Sequence, residues 1–383
     1  MLPALVNDST PRETILAVAL ELSQKCWKVA LQDMWHDKPS IHNAYGEKPL
    51  LRLAEVIEFI NKQKGKWQLE ANCRVVVMYE AGQDGFWLCR ALKKEGYEAL
   101  VVDPASIPVE RQSRRKKTDR LDVIKLIGSL LGYLRGERDR MHPVRIPEET
   151  TEGQRQLVRD RGILQKEIQQ HRDRIRKLLR TVGNWEGIVP DLQEKLAAGK
   201  IVCYDGALLP EQLKQRLLRE SERMAFVEKQ MTALGAAIRE QLPPHVKERI
   251  SLLMSLRGVG EVGATRLVLE LFWRHFRNRR EVGACVGLVP QPYDSGASHI
   301  DQGISKQGNR RVRALLIEMS WMWLRYQPDS AISHWFAERI SGTGTNKRGR
   351  RTAIVAVARR LVIALWRYVE DGEVPAGARY KAG

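Results

Sequence analysis

The sequence predicts an α/β domain over residues 1–145, followed by an all-α region that covers the rest of the chain. Two observations lead to this prediction. In the first part, apolar runs of strand length alternate with helical patterns, which is typical of a layered sheet with parallel pairing. Beyond residue 150, apolar residues recur at helical spacing almost throughout. A chain of 383 residues also exceeds the usual size of one hydrophobic core, so several domains are expected.

The first domain is predicted to begin with a β-hairpin. Its strands are the apolar run at 14–20 and the alternating run that starts at Cys26. The elements that follow are a helix, a strand, a helix, a strand and a helix, at 50–63, 74–79, 85–95, 98–103 and 119–132. The segment His142-Pro143-Val144 closes this domain.

Two further domains are predicted, at 146–244 and 245–383. Long helical patterns rich in Glu, Gln, Arg, Leu and Lys, at 152–182 and 210–242, predict a coiled-coil region that is antiparallel or intermolecular. Pro243-Pro244 ends it. The last domain is predicted to be helical as far as Val374, with glycine-rich interruptions, and its tail from Pro375 onward is expected to fray.

Charge and targeting signals limit the functional classes. Lys and Arg total 64 and Asp and Glu total 46, which gives a net charge of +18 and indicates a nucleic-acid partner. No uncharged apolar run reaches about 18 residues, and residues 1–12 lack the basic region followed by an apolar one that a signal peptide has, so none is expected. We therefore expect a cytoplasmic, nucleoid-associated protein without a membrane partner. The five cysteines are far apart and no H-E-x-x-H occurs, which argues against a zinc site.

Four acidic residues are candidate metal ligands in the first domain. Glu21 and Glu80 follow predicted strands, and parallel strands bring their carboxyl ends to one edge of a sheet. Asp119 and Asp122 share one helix face. Converging carboxylates need a cation, and Mg²⁺, or Mn²⁺, prefers such oxygen ligands. The alternative is that each acid is only a strand-end or helix-face residue. Neighbouring cations are candidate phosphate contacts: Arg111, Arg114, Arg115, Lys116, Lys117 and Arg120.

Two patterns in the last domain are candidate DNA contacts. SLRGVGEVGATRL, at 255–267, has the form of a helix-hairpin-helix, in which Gly258 and Gly260 let the backbone approach a phosphate. The alternative is a plain turn between helices. A glycine-rich loop at 284–316 then presents Ser295 as a candidate nucleophile, with Ser298 and Ser305 as competitors. Its cations are candidates to steady a scissile phosphate: Lys306, Arg310, Arg311 and Arg313.

These motifs resemble the DEDD transposases of the insertion sequence 110 family, and especially its insertion sequence 1111 group. VALELSQKCWKVAL is similar to the first-strand motif of that family, VVVMYEAG to the second-acid motif, and KKTDRLDVIKL to its K-x-D-x-x-D motif. GLVPQPYDSG followed by ISKQGNRRVRALL is similar to the C-terminal transposase block. The resemblance covers nearly the whole chain. One departure is Glu21, which stands where the family usually has Asp, so its carboxylate oxygens lie about one C–C bond further out.

The resemblance implies an RNase-H-like (RuvC-type) N-terminal domain, a coiled-coil linker that dimerises, and a helical C-terminal domain that bears the nucleophile. By motif match, Glu21, Glu80, Asp119 and Asp122 hold the metal and Ser295 attacks. It also implies double-stranded DNA and an element-encoded guide RNA as partners, and a homodimer that assembles to a tetramer on DNA. The implied activity is excision and integration of an insertion sequence. It requires the N-terminal domain, which carries the acids, and the C-terminal domain, which carries Ser295, to form one composite site.

Three other functions are compatible with some of these residues. In a metal-dependent nuclease or junction resolvase, the carboxylates activate water and Ser295 is structural. In a non-catalytic DNA-binding protein, the acids have lost their role. The spacing of His171 and Arg174 matches the H-x-x-R of tyrosine recombinases, but it lies in a predicted coiled helix without a matching tyrosine context.

Overall fold

The computed structural model describes residues 14–107, 119–295, 298–341 and 347–381. The chain divides into two compact units, Met1–Ile146 and Pro147–Gly383. The boundary between these units lies beside the one expected at residue 145. The further division of the second unit at residue 244 stays a prediction.

The N-terminal unit is built on one five-stranded sheet with the strand order β3-β2-β1-β4-β5. The strands are β1 (Ile15–Leu22), β2 (Trp27–Asp33), β3 (Ser40–Ala44), β4 (Arg74–Glu80) and β5 (Glu98–Val102). β1, β2 and β3 pair antiparallel, whereas β4 runs parallel to both β1 and β5. The predicted hairpin and the predicted parallel pairing are both confirmed.

Helices cover both faces of this sheet. They are α1 (Pro49–Lys66), α2 (Trp87–Lys94) and α3 (Asp119–Leu134). Alternate residues of β1 point to opposite faces, so Leu16, Val18 and Leu20 pack with α1 and α2, whereas Ala17 and Ala19 pack with α3. The strand residues beneath α3 include small alanines, and their buried partners on the helix are Val123, Leu126, Ile127, Leu130 and Leu131. The sheet therefore has an apolar core on each face, and α3 covers the second one.

β3 was not predicted from the sequence. Its segment, SIHNA, is short and polar, and no residue pattern in it distinguishes a strand from a loop. It forms because β2 offers an unpaired edge, on which Ala30 pairs with Ile41 and Lys28 with Asn43. Pairing with a neighbour, rather than local sequence, determines this strand.

The C-terminal unit is mainly helical. Its helices are α4 (Glu149–Arg180), α5 (Leu192–Ala197), α6 (Glu211–Gln241), α7 (Pro244–Met254), α8 (Glu261–Leu267), α9 (Arg279–Cys285), α10 (Arg310–Tyr326), α11 (Ala331–Ser341) and α12 (Lys347–Asp371). α8 continues into a π-helical turn, Val268–Phe272. None of the helices in the described ranges is both long and apolar enough to cross a bilayer.

α4 and α6 form an antiparallel pair within the chain. Arg161 approaches Gly235 at one end, and His171 contacts Glu220 further along. The predicted long helices are thus confirmed, and a small core that includes Ile168, Ile175 and Leu217 joins them. Whether these helices also dimerise stays a prediction.

A β-hairpin interrupts the helices of this unit where only a glycine-rich loop was expected. β6 (Pro290–Ser295) and β7 (Ser298–Ile304) pair antiparallel, and Ser295 lies opposite Ser298. The prediction missed the strands because the two prolines of PQPYDS and the glycine near the end of β7 are typical of loops. The candidate serine therefore lies at the end of a strand.

The expected fraying of the C-terminal tail is wrong for residues 375–381. Tyr380 forms a β-bridge with Leu256, and the backbone N–H of Arg379 donates to Oε1 of Gln327 at 2.7 Å. The amide of Gln327 in turn donates to the carbonyl oxygens of Arg257 and Arg379. A buried glutamine thus holds the tail against the turn that follows α7.

Candidate active site and serine hairpin

Glu21 and Glu80 lie at equivalent positions on the adjacent parallel strands β1 and β4. The register pairs Leu20 with Tyr79, and each glutamate is the next residue along its strand. Alternation places both side chains on the face covered by α3, because Ala19 and Met78, two residues earlier, pack there. Both glutamates are half-buried. The predicted proximity of these two acids at the carboxyl ends of parallel strands is what this register produces.

Lys28 and Asn43 extend the same row across the sheet. Lys28 lies directly opposite Glu21 in the antiparallel pairing of β1 and β2, so its side chain shares the face of Glu21. Its ammonium group donates to Oδ1 of Asn43 on β3 at 2.9 Å. A half-buried cation therefore lies beside the carboxylate pair. Lys28 was not predicted to be part of this site, because the cross-strand partner of a residue is known only once the strand register is known.

Asp119 and Asp122 lie in the first turn of α3, the helix that packs on this same sheet face. Asp119 is exposed and Asp122 is half-buried, with Nζ of Lys125 at 3.9 Å from its Oδ1. Within the described ranges no group of three or more His, Cys, Asp and Glu side chains is arranged to hold a metal. The structure thus aligns the two glutamates, and places the aspartates on the helix above them without closing a four-acid cluster.

The donor set nevertheless suits magnesium. Mg²⁺ keeps several waters and is commonly held by one or two carboxylates together with substrate phosphates. Glu21 and Glu80 supply such a pair. Arg120, beside Asp119, is exposed. The other predicted phosphate contacts of this region lie outside the described residues: Arg111, Arg114, Arg115, Lys116 and Lys117.

The serine hairpin, which we define as β6 and β7, is anchored at its base by close backbone contacts. The N–H of Ser305 donates to the carbonyl oxygen of Val289 at 2.9 Å, and that of Lys306 to Gly287 at 3.2 Å. Arg313 donates to the carbonyl oxygens of Val286 and Gln307. Arg313 was predicted to contact a phosphate, but here it binds the loop backbone. The other three predicted contacts, Lys306, Arg310 and Arg311, are exposed. The side chains of Ser295 and Ser298 lie outside the described part of the structure.

Two glycines permit this close approach. Gly287 and Gly308 both have positive φ, +66° and +77°, and a Cβ on either would overlap a backbone carbonyl oxygen, that of Gln307 or Cys285. The backbone segments before and after the hairpin therefore touch directly. Only glycine satisfies both requirements at these positions.

Gly308→Ala is expected to destabilise the C-terminal unit more than a matched glycine substitution. Gly372 has a similar φ of +71° with no atom within 4 Å of a Cβ, so Gly372→Ala reports backbone strain alone. That strain costs roughly 1–2 kcal/mol, and overlap with Cys285 adds roughly 1–3 kcal/mol. Urea unfolding of the two variants measures the difference. Equal costs would show that the two backbone segments separate easily.

A buried carboxylate, Glu270, joins the hairpin base to α4. It lies in the π-helical turn, and its side chain is 1% exposed. Nε of Arg159 donates to Oε1 at 2.8 Å, NH2 of Arg155 to Oε2 at 3.2 Å, and Nδ2 of Asn309 to Oε2 at 3.3 Å. Asn309 also caps α10 by accepting from the N–H groups of Arg311 and Val312. This network therefore connects α4, the π-helical turn and the start of α10, which follows the serine hairpin.

Glu270→Gln is expected to destabilise the protein by roughly 3–5 kcal/mol, because it leaves the buried Arg155 without its counter-ion. Glu228→Gln is the control, since Glu228 pairs with Arg172 at the surface and the expected cost is below about 1 kcal/mol. Burial raises the pKa of Glu270, but hydrogen bonds and charge from Arg159 and Arg155 outweigh this effect and hold the pKa below its usual range.

The stabilisation from Glu270 should therefore depend on pH. A depressed pKa in the folded state means that the contribution is complete above the unfolded-state pKa and is lost as pH falls through the folded-state pKa. The urea midpoint of the wild type, measured from neutral to acidic pH, should fall more steeply than that of Glu270→Gln. Parallel pH profiles would contradict the role of this carboxylate.

Comparison with known proteins identifies the family. Residues 250–334 match the family model described as the transposase IS116/IS110/IS902 family, and residues 53–184 match the DEDD transposase model of IS110 elements. A putative transposase, y4rJ, of Sinorhizobium fredii is 37% identical over 95% of this chain and 94% of its own length. The chain belongs to the IS110 transposase family.

Other relatives of this transposase are named as transposases of insertion sequence elements. The transposase of insertion sequence element IS1533 of Leptospira borgpetersenii is 26% identical over 81% of this chain and 84% of its own. The transposase of IS1111A of Coxiella burnetii is 29% identical over 40% and 39% of the two chains. The resemblance inferred from the motifs is confirmed, and the protein is a DNA transposase.

The glycine turn of this transposase at 256–260 is fixed by contacts with α10 and with the C-terminal tail. Gly258 has a φ of +81°, and its Cα faces the backbone of Met322 on α10. Nζ of Lys381 donates to the carbonyl oxygen of Val259 at 2.9 Å. Gly260 is open, with no atom within 4 Å of a Cβ. The positive φ of Gly258 therefore serves packing inside the unit, and Gly260 is the position of this turn that a phosphate can approach.

Two side chains that match the tyrosine-recombinase spacing, His171 and Arg174, have structural partners. Both contact Glu220 of α6, at 2.7 and 3.2 Å; His171 and Glu220 are buried between α4 and α6, whereas the side chain of Arg174 is 47% exposed. This arrangement explains the H-x-x-R spacing without tyrosine-recombinase chemistry. Of the two tryptophans on α10, Trp323 is buried, whereas Trp321 is 39% exposed, in edge contact with Phe336 and beneath the guanidinium of Arg350.

Glu270 and Asn309 were not predicted from the sequence, although each has a recognisable sequence context. Glu270 is a single acid within the apolar run LVLELFW, and a charge in such a run requires a buried partner. Asn309 precedes the helical pattern of α10, as an N-cap residue does. Neither pattern identifies the residues that bind these side chains, because those residues lie elsewhere in the chain.

Proposed function

We propose that this transposase cuts and rejoins DNA through Ser295, with Glu21, Glu80, Asp119 and Asp122 as the residues that hold Mg²⁺ or Mn²⁺. The observation that supports the carboxylate site most directly is the parallel register that aligns Glu21 with Glu80 on the α3 face. The family membership supports the reaction class.

We also propose that the N-terminal unit is RNase-H-like, of the RuvC type. Three antiparallel strands followed by two parallel ones, in the order β3-β2-β1-β4-β5, support this assignment. The acids at the ends of β1 and β4 and at the start of α3 lie where such a fold would present metal ligands.

The covalent step conserves the energy of the phosphodiester. Oγ of Ser295 forms an ester with the scissile phosphate while the bond from phosphorus to the leaving sugar oxygen breaks, and the seryl proton goes to that oxygen. A sugar hydroxyl of another strand then attacks the phosphoserine, restores a phosphodiester and returns the proton to serine. No ATP is needed, which agrees with the absence of a G-x-x-x-x-G-K-[ST] motif from the sequence.

The metal ion, when bound, would stabilise negative charge on the phosphate. The protein side chains have separate tasks. Glu21 and Glu80 supply oxygen ligands, and Lys28, held by Asn43, limits the repulsion between these carboxylates. Lys306, Arg310 and Arg311 are exposed at the hairpin base, and we propose that they contact the DNA backbone.

The assembly and its nucleic acids complete the proposal. Double-stranded DNA at the element ends and target is the substrate for excision and integration. An element-encoded noncoding RNA is the proposed guide, which the net charge of +18 would help to bind. We propose that α4 and α6 act as a coiled coil in a homodimer that becomes a tetramer on DNA, and that Gly260 contacts phosphate as part of a helix-hairpin-helix.

The test of this function is a search for a covalent protein–DNA adduct. Purified transposase, element RNA, Mg²⁺ and labelled junction DNA are incubated, and the products are separated on a denaturing gel. The expected result is labelled DNA that migrates with the protein and is released by protease. Cleaved DNA without an adduct would favour the second candidate, a metal-dependent nuclease in which the same carboxylates activate water.

A further inference from the structure

An arginine-lined groove lies in the C-terminal unit. It has a volume of about 530 Å³ and is bordered by α9, the start of α11, α12 and the segment that follows α12. We call it the α12 groove. Five of its lining residues are arginines: Arg279, Arg280, Arg359, Arg360 and Arg367.

The charge of the α12 groove is almost entirely uncompensated. Glu373 is its one acidic lining residue, and it pairs with Arg367 at 3.3 Å. Across the described ranges, no carboxylate lies within ion-pair distance of Arg279, Arg280 or Arg360. Like charges crowded in a concave site repel each other and concentrate a positive potential, so the groove is most stable with a polyanion in it.

The floor of the α12 groove is apolar, and its arginines are partly fixed. Ile332, Ala356 and Ile363 are among the residues that line it. On α12 the lining positions follow the helical repeat 356, 359, 360, 363, 364 and 367, which is one face of the helix. The opposite face, with Val357, Leu361 and Leu365, is buried. The guanidinium of Arg360 lies 4.1 Å from the ring centroid of Trp335, which restricts its orientation.

We propose that the α12 groove binds a single-stranded stretch of DNA. A strand presents phosphates to the arginine rim and, unlike a duplex, has unpaired bases and sugars that an apolar floor can accept. DNA is the established substrate class of a transposase, and cutting and exchanging strands unpairs it locally. The inference rests on the proposed function only in assuming that strand exchange unpairs the DNA locally. It assigns no step of cleavage to the groove residues.

The test compares two triple variants with equal loss of charge. The groove variant is Arg279→Gln, Arg280→Gln and Arg360→Gln, and the control is Arg216→Gln, Arg219→Gln and Arg339→Gln. All six arginines are exposed. The probe is oligo(dT) of about 20 nucleotides, with an oligo(U) and a duplex of equal length as further arms. Binding is measured by fluorescence anisotropy at several salt concentrations and without divalent metal, so the result does not depend on cleavage.

The groove variant is expected to bind oligo(dT) about tenfold more weakly than the control. Its slope of log affinity against log salt should be smaller by about 2, because each lost phosphate contact lowers the slope by about 0.7. Equal weakening in both variants would show a general charge effect and overturn the proposal. A loss of binding confined to the duplex or to oligo(U) would also overturn it. Unchanged binding of oligo(dT) with an altered sedimentation coefficient would overturn it too, and would indicate that the groove is a contact between subunits.

A failure here is distinguishable from a failure of the proposed function. If the groove variant still binds oligo(dT) normally while the wild type forms a covalent adduct, only the groove assignment is wrong. Thermal melting of both variants controls for folding, since exposed arginines without an ionic partner contribute little to stability.

Discussion

Ser295→Ala is expected to abolish the covalent protein–DNA adduct and to lower strand exchange by about 10³-fold or more, as removal of a nucleophile does in other enzymes. In the proposed mechanism the hydroxyl oxygen forms the ester, and no other atom of the side chain substitutes for it. Binding of junction DNA should be nearly unchanged, because the substitution removes neither a cation nor backbone structure. The measurement is the amount of adduct on a denaturing gel, with DNA affinity determined in parallel.

Ser298→Ala and Ser305→Ala are the matched controls. Ser298 lies opposite Ser295 in the hairpin, and Ser305 lies at its base, so all three substitutions affect the same structure. We expect both controls to form the adduct. Loss of the adduct in Ser298→Ala, with normal activity of Ser295→Ala, would transfer the role of nucleophile to Ser298. Undiminished hydrolysis in Ser295→Ala without any adduct in the wild type would support the nuclease.

Glu80→Gln is expected to reduce metal-dependent cleavage by about 100-fold or more, since it removes one of the proposed charged ligands, and a catalytic metal contributes several kcal/mol. The variant keeps the shape of the side chain, so the sheet should fold as before. Magnesium affinity, measured by calorimetry without DNA, should fall along with cleavage. This second measurement separates a lost ligand from a lost substrate contact.

Glu98→Gln is the control for this substitution. Glu98 begins β5, pairs with Arg74 at the surface and lies at the opposite end of the parallel strands from Glu80. We expect it to bind magnesium and to cleave DNA as the wild type does. Unchanged magnesium affinity in Glu80→Gln would remove this residue from the set of ligands, and equal losses in both variants would indicate a general effect of charge.

The parts of this fold that were predictable share one property, which is a strong local pattern. The apolar runs of β1 and β4 and the long helical repeats of α4 and α6 each determine their element without help from distant residues. The candidate acids were found in the same way, because Glu21 and Glu80 interrupt or end apolar strands. The long motifs around Asp119 and Ser295 were specific enough to indicate the family.

Other elements were missed because their structure depends on a partner. β3 has a polar sequence and forms on the edge of β2, and the hairpin of β6 and β7 contains prolines that disfavour strands. The tail at 375–381 has no periodicity, yet Gln327 binds its backbone. In each case the energy comes from pairing with a segment that is remote in sequence.

The sequence alone determined the class of this protein: a basic chain with an α/β part followed by helical regions, whose motifs are those of a DNA transposase. Only the tertiary structure decided which residues share a face. It placed Lys28 beside Glu21, assigned Arg313 to the hairpin backbone and buried Glu270 among Arg155, Arg159 and Asn309. The physical reason is that local patterns report the preferences of neighbouring residues, whereas strand register and helix packing bring together side chains that are remote in the chain.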